Sequence, residues 1–134
     1  MNEGEIRTVL LVEDNADHAD ILEGVIGEAL PAAALEWVDH GTRAYERLVL
    51  LAQAGGLPDL VLLDLKLPGY GGIEVLRLCR AQDALRDVRI LVLTSSNAQE
   101  ERRAASDAGA DGYLVKTFPL SGLADRLTQA IGAL

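Results

Sequence analysis

Four short aliphatic runs constrain this chain most, because each one ends on a side chain with chemistry of its own. Val9-Leu10-Leu11-Val12 runs into the acidic pair Glu13-Asp14, and Leu60-Val61-Leu62-Leu63 runs into Asp64. Ile90-Leu91-Val92-Leu93 ends in Thr94, and Tyr113-Leu114-Val115 ends in Lys116. Central strands of a parallel sheet are buried on both faces and read as continuous aliphatic stretches. Lying side by side, the first two runs would gather Glu13, Asp14 and Asp64 at one edge of a sheet. Carboxylates crowded in this way repel one another unless a hard cation sits among them. Mg²⁺ takes oxygen ligands and keeps several of its waters. An acidic metal pocket flanked by a hydroxyl and an ammonium suits the handling of a phosphoryl group.

The intervals between the runs carry helical patterns. Strands are expected over Arg7–Val12, Ala33–Val38, Asp59–Leu63, Val88–Leu93 and Gly112–Val115. Helices are expected near Asp17–Ala29, Thr42–Gln53, Gly72–Ala81, Asn97–Ala108 and Leu120–Ala130. Asn15 is placed to accept the free N–H groups of the first helix, and Gly109 stands where a left-handed residue closes the fourth. Leu120, Leu123, Leu127, Ala130 and Leu134 recur at helical spacing and give the last helix one apolar face. Strand–helix alternation with short connections means right-handed βαβ units around a parallel sheet, an α/β doubly wound fold.

Length and charge narrow the function. At 134 residues the chain is about one domain. No stretch approaches the roughly 20 apolar residues of a membrane span, and the acidic start Met1-Asn2-Glu3-Gly4-Glu5 is unlike a signal peptide. A lone cysteine, Cys79, fits a reducing cytoplasm and reads as a small core hydrophobe. The formal net charge of −9 opposes binding to a phosphate backbone, which needs a basic footprint. A protein partner or a cation is the better match, with neither nucleic acid nor membrane as a partner.

Taken in order, Glu13-Asp14, Asp64 with Leu67-Pro68-Gly69, Thr94-Ser95 and Lys116 resemble the receiver domain of two-component response regulators, over nearly the whole chain. The resemblance implies a five-stranded sheet in the order 2-1-3-4-5, with the site beyond the carboxyl ends of the strands. It implies that Asp64 accepts a phosphoryl group from a histidine kinase or phosphotransfer protein. It further implies Mg²⁺ on Asp14, Asp64 and the Lys66 backbone carbonyl, with Glu13 acting largely through water. Lys116 would pair with a phosphoryl oxygen, Thr94 would donate to another and move inward, and Tyr113 would turn with it. Such a protein is a switch rather than an enzyme with a separate substrate, catalysing only its own phosphorylation and dephosphorylation. Its signal would leave through the fourth helix, fifth strand and fifth helix, a face that also serves homodimers. The chain ends with its fifth helix, so the expectation is a stand-alone receiver spanning 1–134 with no output domain. Val12–Asp17, Leu63–Pro68 and Leu93–Ser96 also resemble stand-alone receivers paired with bacteriophytochrome-type histidine kinases. The family's proline after the lysine is replaced by Thr117, with Pro119 following later. A cis bond before a non-proline residue costs about 3–4 kcal/mol, so a trans bond or a remodelled turn is expected there.

Plainer readings stand beside these. The side chain of Lys66 reads as surface, His18 and His40 as surface residues without metal-ligand partners, and Trp37 as packing. Tyr113 suits a half-buried strand whatever its role. Gln99-Glu100-Glu101-Arg102-Arg103 reads most simply as a solvated helix face with i,i+3 and i,i+4 pairs, and alternatively as rim charge at a partner interface. A phosphatase of the haloacid-dehalogenase type would need a second Asp where Lys66 stands. A receiver reduced to a binding module would have lost acceptor or metal ligands, and none is lost. A flavodoxin-like nucleotide binder would want an anion-binding loop where Glu13-Asp14 stands.

Overall fold

The computed structural model describes residues 1–117 and 121–134. It contains β1 (Thr8–Val12), α1 (Ala16–Ala29), β2 (Ala34–Val38), α2 (Gly41–Gln53), β3 (Leu60–Leu63), α3 (Gly72–Ala81), β4 (Ile90–Thr94), α4 (Gln99–Asp107), β5 (Gly112–Val115) and α5 (Leu123–Gly132). Short 3₁₀ turns at Glu3–Glu5 and Asp83–Leu85 were not legible in the periodicity. The strands form one parallel sheet in the order β2-β1-β3-β4-β5, as expected. Helix boundaries fall within two residues of the sequence reading for α1 to α4. The expected start of the last helix, Leu120, lies outside the described residues, as does Pro119.

Both faces of the sheet are covered, which is why its central strands need no polar alternation. Val9, Leu11, Leu60, Leu62, Leu91 and Leu93 pack with Leu22 and Ile26 of α1 and Leu123, Leu127 and Ile131 of α5. Leu10, Val12, Val61, Leu63, Ile90 and Val92 pack with Leu48 of α2, Val75 and Leu76 of α3, and Ala105 of α4. Cys79 lies fully buried in the second layer, and burial pushes its thiol up to about 11. It is a core hydrophobe with little thiolate at neutral pH, as expected.

The amino-terminal edge of the sheet is tied by two side chains. Asp59 Oδ2 accepts from the backbone N–H groups of Arg7 and Thr8 at 2.8 and 3.2 Å. Arg80 of α3 donates to the carbonyls of Gly109, Val88 and Arg86 at 2.9, 2.7 and 3.0 Å, and to Asp111 Oδ2 at 3.0 Å. The opposite, carboxyl-terminal edge is built from closely seated loops. The N–H of Gly41 donates to the Pro68 carbonyl at 3.0 Å, and Thr42 Oγ1 accepts from the N–H of Tyr70 at 3.0 Å. A Cβ on Gly41 would stand 1.6 Å from the Tyr70 carbonyl oxygen. Helix α2 therefore starts in direct backbone contact with the loop that follows Asp64. Because the obstacle is backbone, Gly41→Ala should cost about 1–3 kcal/mol of stability, the usual range for overpacking. Chemical denaturation measures it, and an unchanged midpoint would show that the two loops separate freely.

Candidate functional site

Sheet register assembles the site. Val12 pairs with Val38 on one side and Leu63 on the other, Leu63 pairs with Val92, and Thr94 pairs with Val115. The residues that follow these pairs therefore emerge together. Backbone bonds extend the ladder past the strand ends, from Asp64 N to Val12 O at 3.0 Å and from Lys116 N to Thr94 O at 2.7 Å. Among the described residues, Glu13, Asp64, Thr94 and Lys116 are the buried polar side chains at this edge, between 0% and 7% exposed.

Lys116 reaches from the end of β5 across β4. Its Nζ donates to Glu13 Oε1 and, at 3.1 Å, to Asp64 Oδ2. The other Asp64 oxygen, Oδ1, accepts from the backbone N–H of Lys66 at 3.3 Å. Glu13 Oε2 accepts from the N–H of Asn15 at 3.4 Å. Burial pushes the Glu13 carboxyl above its usual range, the hydrogen bond from Lys116 pulls it back, and the neighbouring Asp64 charge adds to the rise. Asp14 remains exposed beside them. Carboxylate oxygens of Glu13, Asp14 and Asp64 lie within 4.8 Å of one another. This all-oxygen donor set, with one member open to water, fits a hard divalent cation that retains part of its hydration shell.

Thr94 is fully buried, and its Oγ1 has no hydrogen-bond partner. An unpaired buried hydroxyl costs free energy, and this one stands beside the charged cluster as a free donor. Tyr113, half-buried, donates its hydroxyl to the Ser96 carbonyl at 2.9 Å, and the Arg102 guanidinium lies 4.6 Å from its ring centroid. Arg102 thus stacks on the aromatic ring, where the sequence reading had it in ion pairs along its own helix.

Three further expectations are corrected. Trp37 is 45% exposed rather than packed, because β2 is the edge strand; its indole N–H donates to the Glu13 carbonyl at 2.7 Å. His18 is no isolated surface residue, since its Nδ1 stands 3.7 Å from Glu13 Oε1. The cue for His18 lay in its place three residues after the helix cap Asn15, whose Oδ1 accepts from the His18 N–H at 3.1 Å. His40 is partly buried, with its imidazole packed over Gly69, which adopts a left-handed φ of +72°. The Lys66 side chain is exposed, as read.

The model of the response regulator receiver domain family matches residues 9–128. The chain belongs to that family. Receiver relatives include the probable methanogenesis regulatory protein FilR2 of Methanothrix harundinacea, 37% identical over 84% of this chain and 72% of that protein. KdpE, the KDP operon transcriptional regulatory protein of Escherichia coli, is 36% identical over 92% of this chain but only 50% of its own length. This receiver thus spans about half of several DNA-binding regulators that it matches. Among solved structures, the phosphorylated cyanobacterial phytochrome response regulator RcpA superposes with a TM-score of 0.82 at 25% identity, covering 92% of this chain and 90% of that one. The bacteriophytochrome response regulator AtBRR gives a TM-score of 0.78 at 30% identity, covering 96% and 94%. No helix among the described residues of the receiver is long and apolar enough to cross a membrane.

Removing one member of a buried charged group leaves the others uncompensated, at a typical cost of 3–5 kcal/mol. Lys116→Met should lower stability by about that amount at neutral pH, because Glu13 and Asp64 then face each other without a counter-charge. The loss should shrink as pH falls through the carboxylate range and the pair takes up a proton. Urea melts at several pH values test it; a pH-independent loss would mean that lost packing, not charge, is responsible.

Proposed function

We propose that this receiver accepts a phosphoryl group on Asp64 from a histidine kinase or phosphotransfer protein, and that the modified site switches a protein-interaction surface. The observation that carries the reading is Lys116 joined to both Glu13 and Asp64, beside the unpartnered Thr94 hydroxyl. An Asp64 oxygen attacks phosphorus in line; the O–P bond forms as the P–N bond to the donor imidazole breaks, and that imidazole keeps the bonding pair. Charge gathers on the equatorial oxygens, so catalysis is mainly positioning and electrostatic support. Lys116 supplies a fixed ammonium for one of these oxygens and Thr94 a hydroxyl for another. Asp14, Asp64 and the Lys66 carbonyl would hold Mg²⁺, with Glu13 linked through water, and the bound cation neutralises charge on the incoming group. The cell compartment that fits this partner chemistry is the cytoplasm. The receiver acts as a switch, without a separate substrate to turn over.

Inward movement of Thr94 pulls on Ser96, two residues on, and so on the carbonyl that holds Tyr113. The output surface is then α4, β5 and α5, where a partner or a second copy would dock.

Acetyl phosphate with Mg²⁺ should add one phosphoryl group that hydroxylamine removes, and EDTA should suppress the reaction. Intact mass measures it. Asp64→Asn should take up none, and persistent labelling of that variant would place the acceptor elsewhere.

Cation binding to the folded chain stabilises it by RT ln(1 + [L]/Kd), about 2.7 kcal/mol at 100 Kd. Asp14→Asn relieves carboxylate repulsion, so it should melt higher than the wild-type chain in EDTA and lose its response to Mg²⁺. A variant that still gained stability from Mg²⁺ to the wild-type extent would remove Asp14 from the ligand set.

A further inference from the structure

Trp37 is the chain's single tryptophan, and it stands on the edge strand β2 opposite Leu11. Nearly half of it faces water, so burial alone does not explain so large a side chain at this place. Its position instead completes the hydrogen bonding of residue 13. The N–H of Glu13 donates to the Val38 carbonyl at 3.1 Å, next to the last β1–β2 pair, Val12 with Val38. The Glu13 carbonyl receives the Trp37 indole N–H at 2.7 Å. Residue 13 is thus tied to β2 at both its backbone groups, the second time by a side chain where the regular pairing has ended.

The consequence falls on Asp14. The Glu13 carbonyl and the Asp14 N–H belong to one rigid peptide plane. Holding that carbonyl fixes the plane, and the plane fixes the place of the Asp14 Cα and the N–Cα axis from which its side chain departs. Glu13 and Asp64 are already held by Lys116. Asp14 is the exposed member of the carboxylate cluster, so its aim depends most on its backbone.

We infer that Trp37 is a positioning residue for divalent-cation binding, aiming Asp14 through its indole hydrogen bond to the Glu13 carbonyl. The inference rests on the reading that Glu13, Asp14 and Asp64 surround a divalent cation.

Trp37→Phe keeps a six-membered aromatic ring on the edge strand and removes the indole N–H together with the five-membered ring that carries it. Titration calorimetry with Mg²⁺ should show binding about three- to tenfold weaker than in the wild-type chain, the range that one ordinary hydrogen bond spans. Thermal melting in EDTA should stay close to that of the wild-type chain, since the ring remains. Arg47→Ala serves as the control. It breaks the ion pair with Glu36 at 2.7 Å on the same edge strand and leaves the indole N–H in place, and its Mg²⁺ affinity should match wild type. Equal Mg²⁺ affinity in Trp37→Phe and wild type would overturn the assignment. So would an equal loss in Arg47→Ala, which would trace the effect to general order of the edge strand. Absence of Mg²⁺ uptake by the wild-type chain would overturn the cation reading and this assignment with it.

Discussion

Everything at the functional edge depends on one ammonium shared by two buried carboxylates. Bringing Glu13, Asp64 and Lys116 out of water is costly, and only close, well-directed contacts offset that cost. The three residues come from the ends of β1, β3 and β5, with β4 lying between the last two. Lys116 must therefore reach across a whole strand, which its flexible four-carbon stem allows and a shorter side chain would not. A slip of one residue in any of these strands would turn its terminal side chain to the opposite face. The aliphatic packing that fixes register is thus also what makes the charged cluster possible.

The same arrangement gives the site two unequal sides. Toward β1 it is saturated, with Glu13 held by Lys116 and Asn15 and with His18 close by. Toward β4 it holds a hydroxyl with nothing to bond. A group carrying acceptor oxygens has more to gain on the Thr94 side, and that side is continuous through Ser96 with the ring of Tyr113. Arg102 above the ring adds an attraction that a displaced tyrosine would give up.

The parts of this molecule that the residues announced are those governed by local pattern. Continuous aliphatic runs marked the buried strands, and the polar residues that end them marked the site, because a parallel sheet brings all strand ends to one edge. Asn15 and Gly109 marked helix ends through side-chain capping and a left-handed backbone. What escaped were contacts that exist only once the strands are ordered. Trp37 looked like packing because Leu35-Glu36-Trp37 alternates as a half-buried strand would; its exposure follows from β2 lying at the edge. Arg102 has charged neighbours along its own helix, and only the approach of β5 offers it an aromatic ring. His40 and Gly69 lie far apart in sequence, and nothing local foretells that the turn after Asp64 passes beneath the imidazole.

The guanidinium of Arg80 has a consequence at a distance from the site. It gathers carbonyls from the segments entering β4 and β5 and binds the Asp111 carboxylate that also accepts from the Ile90 N–H at 2.8 Å. Asp59 does similar work for β1 and β3. The sheet is thereby anchored at the end where its strands begin, while the end where they finish is bordered by loops and an unsatisfied hydroxyl. The molecule resembles a comb held at its spine: the roots of the strands are fixed relative to one another by side chains that take no part in the charged cluster at the tips. A change of charge at the tips can then alter the surface beside it without loosening the core that keeps the tips in register.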